Sequence, residues 1–331
     1  MRNVHLTGTV ALACLLGTAA APAGAGILDV VPGAEAAYSL RQLTSTYTGP
    51  AIQVRVGTDT QDIGFVNGQL DTGSLLSFAG SGTAFVTTWY DQTGNGQHVT
   101  RTSGTYPQIV SSGQLVVNPV TDLPAIRFLN TSLERLHDAG NPWNPWSETL
   151  SVLTAASWVG VPTNANSLAQ RLWTMRVGDS SRAGAGGENS LFALLHPNTA
   201  GDNWAMKSSN ATIIAGEPFV LSYLSDATKP GSQDEVFMYL NGETIYSSTS
   251  LNIGAATPNH FTVGAHTGAT RPFNGIMHEL ILYHSVLSPQ DRALVEHSLM
   301  RYVPEPGSML LLLAGGMAVL VRRRRMRSTA Q

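Results

Sequence analysis

The sequence predicts an all-β protein built as an antiparallel β-sandwich. Short apolar or alternating runs recur along the chain, turn-forming Gly, Asn, Asp and Ser residues separate them, and helical patterns are few. Such regular short strands are typical of sandwiches and barrels. Asn241-Gly242 lies between two of these runs, Glu235–Leu240 and Glu243–Tyr246, and is the strongest hairpin signal in the chain.

The other strand candidates share β-branched or aromatic residues and flanking turn residues. They are Ala51–Val56, Phe85–Tyr90, Leu115–Val117, Ala125–Phe128, Leu150–Val159, Leu172–Met175, Leu191–Leu195, Phe219–Leu224, Phe261–Val263 and Ile276–Tyr283. We also expect a short N-terminal helix from Ala34 to about Tyr47. A C-terminal helix should begin at Pro289, after the capping residue Ser288, and run to about Tyr302. Because neither a repeat nor a linker interrupts residues 26–302, we expect one domain there.

Residues 1–25 have the pattern of a cleavable signal peptide. Arg2 supplies a positive start, an apolar run follows from Val10 to Ala20, and small residues end the segment at Ala23 and Ala25. The run is about half the length of a membrane span. We therefore expect signal peptidase to cleave near Ala23 or Ala25. Cys14 is the only cysteine, so the mature chain would have no disulfide and no zinc–thiolate site.

Residues 303–331 form a second targeting segment. A Pro-Glu-Pro motif precedes an apolar helix over 309–321, and arginines follow; the residues concerned are Pro304, Glu305, Pro306, Arg322 and Arg323. This order resembles the PEP-CTERM sorting signal, which implies removal by an exosortase-like processing enzyme. A helix of this length rises about 20 Å, less than the roughly 30 Å hydrocarbon core, so we expect only transient insertion in the inner membrane. A simple C-terminal anchor is the alternative.

The targeting segments predict the location of the body. The arginines should stay on the cytoplasmic side, which leaves the body outside, at the cell surface or in the extracellular matrix of a Gram-negative bacterium. Residues 26–303 contain 13 basic and 21 acidic residues, a net charge of −8. Since no basic stripe is present, we expect no nucleic-acid partner. No cofactor is indicated, and the histidines lack a carboxylate at ligand spacing, so no metal site is expected.

A connected series of motifs carries a family resemblance. The motifs are Ala37-Tyr-Ser-Leu-Arg41, Tyr47-Thr-Gly-Pro50, Ile52–Val56, Asp62–Phe65, Leu70–Thr72, Thr88-Trp-Tyr-Asp-Gln92 and Gly94-Asn-Gly96. This series resembles the N-terminal half of the catalytic domain of α-L-arabinofuranosidase B, glycoside hydrolase family 54. Phe273–Tyr283 and the capped helix resemble the closing strand and helix of that domain and of laminin-G-like sandwiches. The resemblance implies a concanavalin-like jelly roll that handles sugars.

We expect the matching motif residues to be mainly scaffold. They are Tyr38, Arg41, Trp89, Tyr90, Asp91, Gln92 and Asn95. Trp and Tyr alternate across a strand, and an Asp at this position starts a turn by accepting hydrogen bonds from backbone amides. Arg41 and Arg55 should pair with Asp62 or Asp71. Trp173, in an apolar run, should lie in the core.

Catalysis of the retaining type needs two carboxylates about 5–5.5 Å apart. Acidic residues are abundant in the second half, but none carries a motif that matches the nucleophile or the general acid of the family. Glu279 lies in a strand of alternating character and should face solvent. The resemblance also implies a disulfide between adjacent cysteines in the substrate pocket, for which the mature chain has no cysteine.

Glycan binding needs less: an aromatic platform and a few polar groups in loops. Trp143, Trp146 and Trp204 are candidate platforms, and Asp202 and Asn203 are candidate polar partners, as is the expected loop Gly184–Asn189. The sequence therefore favours a surface-sorted carbohydrate-recognition protein that is not catalytic and whose partner is an extracellular polysaccharide. Two alternatives stay open, an α-L-arabinofuranosidase-type glycoside hydrolase and a structural component of the extracellular matrix.

Overall fold

The computed structural model describes residues 26–131, 134–138, 145, 147–162, 170–177, 180–197, 204–253, 258, 260–266 and 271–304. The strands up to residue 137 are β1 (Ala34–Ser39), β2 (Ile52–Val56), β3 (Asp59–Ile63), β4 (Phe65–Val66), β5 (Gln69–Leu70), β6 (Ala84–Trp89), β7 (Val99–Thr100), β8 (Gln108–Ser111), β9 (Gln114–Leu115), β10 (Ile126–Phe128) and β11 (Leu136–His137). The later strands are β12 (Thr149–Trp158), β13 (Gln170–Val177), β14 (Ser180–Glu188), β15 (Leu191–Pro197), β16 (Trp204–Thr212), β17 (Pro218–Asp226), β18 (Asp234–Leu240), β19 (Glu243–Leu251), β20 (His260–Val263) and β21 (Gly275–Tyr283). The helices are α1 (Ile27–Val30), α2 (Thr72–Ala79) and α3 (Pro289–Leu299), and a 3₁₀ turn (Met300–Tyr302) follows α3.

The strands pair antiparallel and form two layers. In the front sheet the neighbours run β3-β2-β6-β7-β11-β20-β13-β14-β15-β16. In the back sheet, β1 and β10 lie along one edge of β21, and β12, β17, β18 and β19 follow on its other edge. Strand β8 pairs with both β10 and β6 and so connects the layers. The predicted antiparallel sandwich with a short C-terminal helix is confirmed.

The main core lies between the two sheets. The front sheet contributes Trp89 and Trp173, and the back sheet contributes Tyr38 and Trp158; all four are buried in one cluster. A second, smaller cluster covers the outer face of the back sheet, where Leu299 of α3 packs with α1 and with the strands below. Helices α1 and α3 therefore lie on the back sheet, on the far side of the molecule from the front sheet.

Local signals placed the hairpin and the last helix correctly. Asn241 and Gly242 adopt positive φ values of 50° and 89° and connect β18 to β19, as a tight hairpin turn requires. Ser288 caps α3 by accepting a 3.1 Å hydrogen bond from the amide of Asp291, and Pro289 is the first helical residue.

The helix predicted from Ala34 to about Tyr47 is wrong. Residues Ala34–Ser39 form β1 instead, and the short helix α1 precedes them. Ala36 faces the main core, whereas Ala37 faces the helix layer, so the strand is buried on both sides. Small side chains suit a strand enclosed in this way. Tertiary burial has overridden the helical propensity of the alanines.

The loop predicted at Gly184–Asn189 is also wrong, because residues up to Glu188 belong to β14. A Cβ on Gly186 would lie 2.1 Å from the carbonyl oxygen of Gln170, and one on Gly184 would lie 2.9 Å from that of Trp173. The glycines therefore permit a close approach between β14 and the bulged strand β13. The high glycine content was interpreted as a sign of a loop. In the structure these glycines instead permit tight packing between two strands.

Glu279 does not face solvent, and this prediction is wrong too. Its carboxylate is fully buried and forms a bidentate pair with Arg41, at 2.8 Å from Nη2 and 2.9 Å from Nε. The outer face of β21, on which Glu279 lies, is covered by the helix layer rather than by water. Arg41 therefore does not pair with Asp62 or Asp71.

Asp62, Asp71 and Arg55 have other partners. Asp71 caps α2 by accepting a 2.9 Å hydrogen bond from the amide of Ser74. Asp62 accepts a hydrogen bond from the hydroxyl of Tyr90 at 2.9 Å. Arg55 donates to the carbonyl of Gly57 and to the hydroxyl of Tyr106, so its predicted pairing with an aspartate is wrong as well.

Replacing Glu279 with Gln should lower the free energy of unfolding by about 3 kcal/mol, because the buried Arg41 guanidinium would then face a neutral amide. Chemical denaturation of the full-length protein measures this change. Glu243→Gln is the matched control, since Glu243 is exposed at the start of β19 and its loss should cost at most about 0.5 kcal/mol. Equal destabilisation by the two substitutions would contradict this role for the pair.

Candidate functional site

The outer face of the front sheet carries a row of polar side chains. Residues paired across antiparallel strands point to the same face of a sheet. The row, called the polar face below, consists of Thr88, Thr100, His137, Thr262 and Thr174 on the neighbouring strands β6, β7, β11, β20 and β13. The adjacent residues Leu136, Val263 and Trp173 are in the main core. The row therefore points away from the core, on the side opposite α1 and α3.

Only part of the polar face is exposed to solvent. Thr262 and Thr174 are fully buried beneath their neighbours, whereas Thr100 and His137 are partly exposed. The part of the row that a ligand can reach is thus centred on β7 and β11. Because these side chains are mounted on paired strands rather than on loops, their positions are fixed by the ladder hydrogen bonds.

Three arginines lie close enough to His137 to affect its ionisation and are called the arginine cluster below: Arg101, Arg135 and Arg176. Arg101 directly follows β7, and Arg135 directly precedes β11. Arg176 lies opposite His260 in the β13–β20 ladder and donates a 3.5 Å hydrogen bond to the hydroxyl of Thr262.

The arginines also affect the ionisation of His137. Burial, together with the charges of the three arginines and of His260, lowers the pKa of His137 to about 4. The imidazole of His137 is therefore neutral at pH 7. Burial also lowers the pKa of Arg135, and the positive charges of Arg101 and Arg176 add to this effect.

Asp138 fixes the position of His260 at the edge of this region. One carboxylate oxygen lies 3.1 Å from Nδ1 of His260, and the other accepts a 3.0 Å hydrogen bond from the amide of Phe261. Burial raises the pKa of Asp138. Within the described ranges, no group of three or more His, Cys, Asp or Glu side chains is arranged to hold a metal ion.

Glu134 is a second buried carboxyl group, three residues before His137. It is 2% exposed, and its Oε2 accepts a 2.8 Å hydrogen bond from the amide of Leu129. Burial raises its pKa to about 7, against the opposing effects of that hydrogen bond and of Arg127. Near neutral pH this group is therefore partly protonated.

The buried carboxylates of the described chain all accept hydrogen bonds from neighbouring parts of the fold. The remaining five and their donors are Asp91 with the amide of Ala37 (2.9 Å), Glu188 with the hydroxyl of Ser208 (3.3 Å), Asp234 with the amide of Ile253 (2.6 Å), Glu279 with Arg41, and Glu296 with the hydroxyl of Ser222 (2.6 Å). These contacts connect strands, helices and turns to one another. These side chains therefore stabilise the sandwich through hydrogen bonds between its elements.

The motif residues meet at a corner between β1 and the turn after β6, away from the polar face. Asp91 accepts hydrogen bonds from the amides of Ala37, Thr93 and Gln97. The side chain of Gln92 accepts from the amide of Leu43 and donates to the carbonyls of Ser39 and Arg41.

Other members of the motif surround this corner. The hydroxyl of Tyr38 donates to the carbonyl of Gln97, and the amide of Asn95 donates to the carbonyl of Glu35 at 2.9 Å. Trp89 is fully buried, and its ring lies 5.8 Å from that of Tyr38. The motif therefore fastens β1 to the front sheet.

Most of the predicted glycan-binding residues lie outside the described ranges: Trp143, Trp146, Asp202 and Asn203. Trp204 is the first residue of β16. Of the sorting residues, Pro304 is the last described position, and Glu305, Pro306, Arg322 and Arg323 lie beyond it.

Sequence reasoning missed the arginine cluster, because its members come from three separate segments. One local signal was present. Glu134-Arg-Leu-His-Asp138 is dense in titratable residues, in a chain of which only 12% of residues are charged.

The C-terminus matches a known sorting signal. A model of the PEP-CTERM protein-sorting motif matches residues 303–325. The chain carries a PEP-CTERM motif. This motif indicates export and cell-surface sorting in Gram-negative bacteria, and it implies processing by an exosortase. No helix within the described residues is long and apolar enough to cross a membrane.

Solved structures share the fold of the body. A mutant α-L-arabinofuranosidase of glycoside hydrolase family 54, soaked with 4-nitrophenyl α-L-arabinofuranoside, superposes with a TM-score of 0.57 at 15% identity. An arabinofuranosidase complexed with arabinofuranosyl-α-1,2-xylobiose gives a TM-score of 0.56 at 16% identity. Each match covers 84% of this chain and 64% of the other, so the chain spans less than two thirds of those proteins. At these identities the similarity establishes the jelly-roll-like sandwich alone. No curated protein has a similar sequence.

The raised pKa of Glu134 predicts a pH dependence of stability. Between about pH 4.5, where the group ionises in the unfolded chain, and about pH 7, where it ionises in the folded one, only the folded state retains the proton. The contribution of Glu134 to stability should therefore be lost as pH rises through this window.

Glu134→Gln removes the titrating group and keeps an acceptor for the amide of Leu129. Thermal unfolding of the two full-length proteins at pH 5 and pH 7.5 tests the prediction. The melting temperature of the wild type should fall relative to that of Glu134→Gln as the pH is raised. A constant difference between the two proteins would show that Glu134 has an ordinary pKa in the folded state.

Proposed function

We propose that this is an exported, surface-sorted carbohydrate-recognition protein that binds extracellular polysaccharide without cleaving it. The observation that carries the proposal is the polar face, whose accessible hydrogen-bonding side chains are held on the front sheet, away from the helix layer. Sugars are recognised through their hydroxyls by a few fixed polar groups, and ring side chains such as His137 can pack against their apolar faces.

The surroundings of the polar face favour binding over hydrolysis. Retaining hydrolysis needs an ionised nucleophile and a separate acid/base carboxyl group facing one substrate. Glu134 and Asp138, the carboxyl groups on either side of His137 in the chain, have raised pKa values and accept hydrogen bonds from the amides of Leu129 and Phe261. The similarity to arabinofuranosidases concerns the fold, and the expected mature chain has no cysteine for the pocket disulfide of that family.

The sorting motif supports a route to the cell surface. In this proposal signal peptidase removes residues 1–25, and the C-terminal tail enters the inner membrane transiently before an exosortase-like enzyme removes it. The acidic body is then released or attached at the cell surface, where polysaccharide is its partner.

Retention on immobilised polysaccharides tests the binding role. The full-length protein should be retained by at least one member of a panel of bacterial and plant polysaccharides. His137→Ala should weaken that binding about tenfold, because it removes a ring and a hydrogen-bonding group from the accessible part of the polar face. His297→Ala is the matched control, since His297 is exposed on α3 on the opposite side, and it should leave binding unchanged.

Two outcomes would contradict the proposal in different ways. Release of 4-nitrophenol from 4-nitrophenyl α-L-arabinofuranoside by the purified protein would favour an α-L-arabinofuranosidase-type glycoside hydrolase. Failure of every polysaccharide to retain the protein would favour a structural role in the extracellular matrix.

A further inference from the structure

The arginine cluster is unusual for this body. Acidic residues outnumber basic ones by 21 to 13 between residues 26 and 303, so carboxylate partners are plentiful. Three of the eleven arginines of this segment lie close enough to His137 to affect its ionisation, and the charges of Arg101 and Arg176 also act on Arg135. Like charges held close together in a partly buried site repel, and this costs stability unless an anion offsets it.

Two buried donors of Arg135 are not satisfied by any described residue. Its Nε and Nη1 atoms are shielded from solvent and have no hydrogen-bond partner within the part of the chain that the structure describes. A buried donor without an acceptor costs about 1–3 kcal/mol, and more for a charged group. Native proteins satisfy nearly all such groups, so an orphaned guanidinium edge next to the partly exposed His137 indicates a place for a ligand's acceptor.

The nearby carboxylates do not satisfy these donors. Asp138 bonds His260 and the amide of Phe261, and Glu134 bonds the amide of Leu129. The Nε of Arg101 donates to the carbonyl of Thr105. Arg135 therefore keeps two unsatisfied donors beside the β7–β11 part of the polar face.

We propose that the arginine cluster binds the anionic group of an acidic polysaccharide, while the accessible side chains of the polar face bind the hydroxyls of the same or adjacent sugars. The planar guanidinium fork matches the paired oxygens of a carboxylate or a sulfate ester. Either group supplies the acceptors that Arg135 lacks. This inference rests on the proposed function and names the chemical class of its ligand.

Matched pairs of ligands separate charge from sugar recognition. Calorimetric titration of the full-length protein would use oligogalacturonate against its methyl ester, which differ in the carboxylate alone. Dextran sulfate against dextran provides the same comparison for a sulfate ester. We expect one acidic ligand to bind at least tenfold more tightly than its neutral counterpart. The pair that shows the difference identifies the anionic group.

Substitutions then show whether Arg135 is responsible for the tighter binding of the acidic ligand. Arg135→Gln should weaken binding of the preferred acidic ligand about tenfold and leave binding of the neutral counterpart unchanged. Arg135→Lys retains the charge but not the fork, and it should recover only part of the loss. Arg301→Gln is the control for overall charge, since Arg301 is exposed in the 3₁₀ turn after α3, and it should change affinity less than twofold. A cooperative thermal unfolding transition establishes that each variant is folded.

The outcomes distinguish this inference from the function on which it rests. Equal binding of acidic and neutral ligands, or an equal loss in Arg135→Gln and Arg301→Gln, would overturn the inference and leave a carbohydrate-binding protein. If neither these ligands nor any polysaccharide of the panel binds, both the inference and the proposed function fail.

Discussion

The buried pair between Arg41 and Glu279 is the interaction on which the rest of the architecture depends. Arg41 follows β1, and Glu279 lies in β21, the central strand of the back sheet. Glu279 also accepts from the hydroxyls of Ser39 and Tyr302. One carboxylate thus connects the first strand, the central strand and the turn that follows the last helix. A buried ion pair with every oxygen satisfied tolerates no other register, because a slip would leave two charges unpaired.

Two further side chains extend this connection to the front sheet. Asp91 and Gln92, in the turn after β6, bond the backbone at and just after β1. Since β1 is fixed to β21 and the turn is fixed to β1, the front sheet is held in place relative to the back sheet. The motif residues that resemble those of a glycosidase therefore connect the two sheets. The polar face lies on the front sheet, which these hydrogen bonds hold in place.

Sequence reasoning succeeded where a feature depends on neighbours in the chain. Asn241-Gly242 requires positive φ angles, and Ser288-Pro289 provides both a cap and a preformed first turn, so their structures follow locally. It failed where residues distant in sequence determine the local structure. Ala34–Ser39 becomes a strand because both of its faces are buried, and Glu279 is buried because α3 and α1 cover its side of β21.

The candidate site could not be predicted from the sequence for the same reason. The signal in residues 134–138 was visible, but Arg101 and Arg176 join it through the pairing of β7, β11, β20 and β13, which single-strand patterns do not specify. The family resemblance indicated the correct fold. It could not indicate the polar face, because the motif residues lie where the two sheets are connected and not on the outer face of the front sheet.

If the outer face of the front sheet binds polysaccharide, a crystal structure of the full-length protein with an oligosaccharide from a polysaccharide that retains it should show ordered sugar over Thr100 and His137. An oxygen of the ligand should lie within hydrogen-bond distance of Nε or Nη1 of Arg135. Ordered sugar on any other surface, with those nitrogens still unpartnered, would show that polysaccharide does not bind to this face.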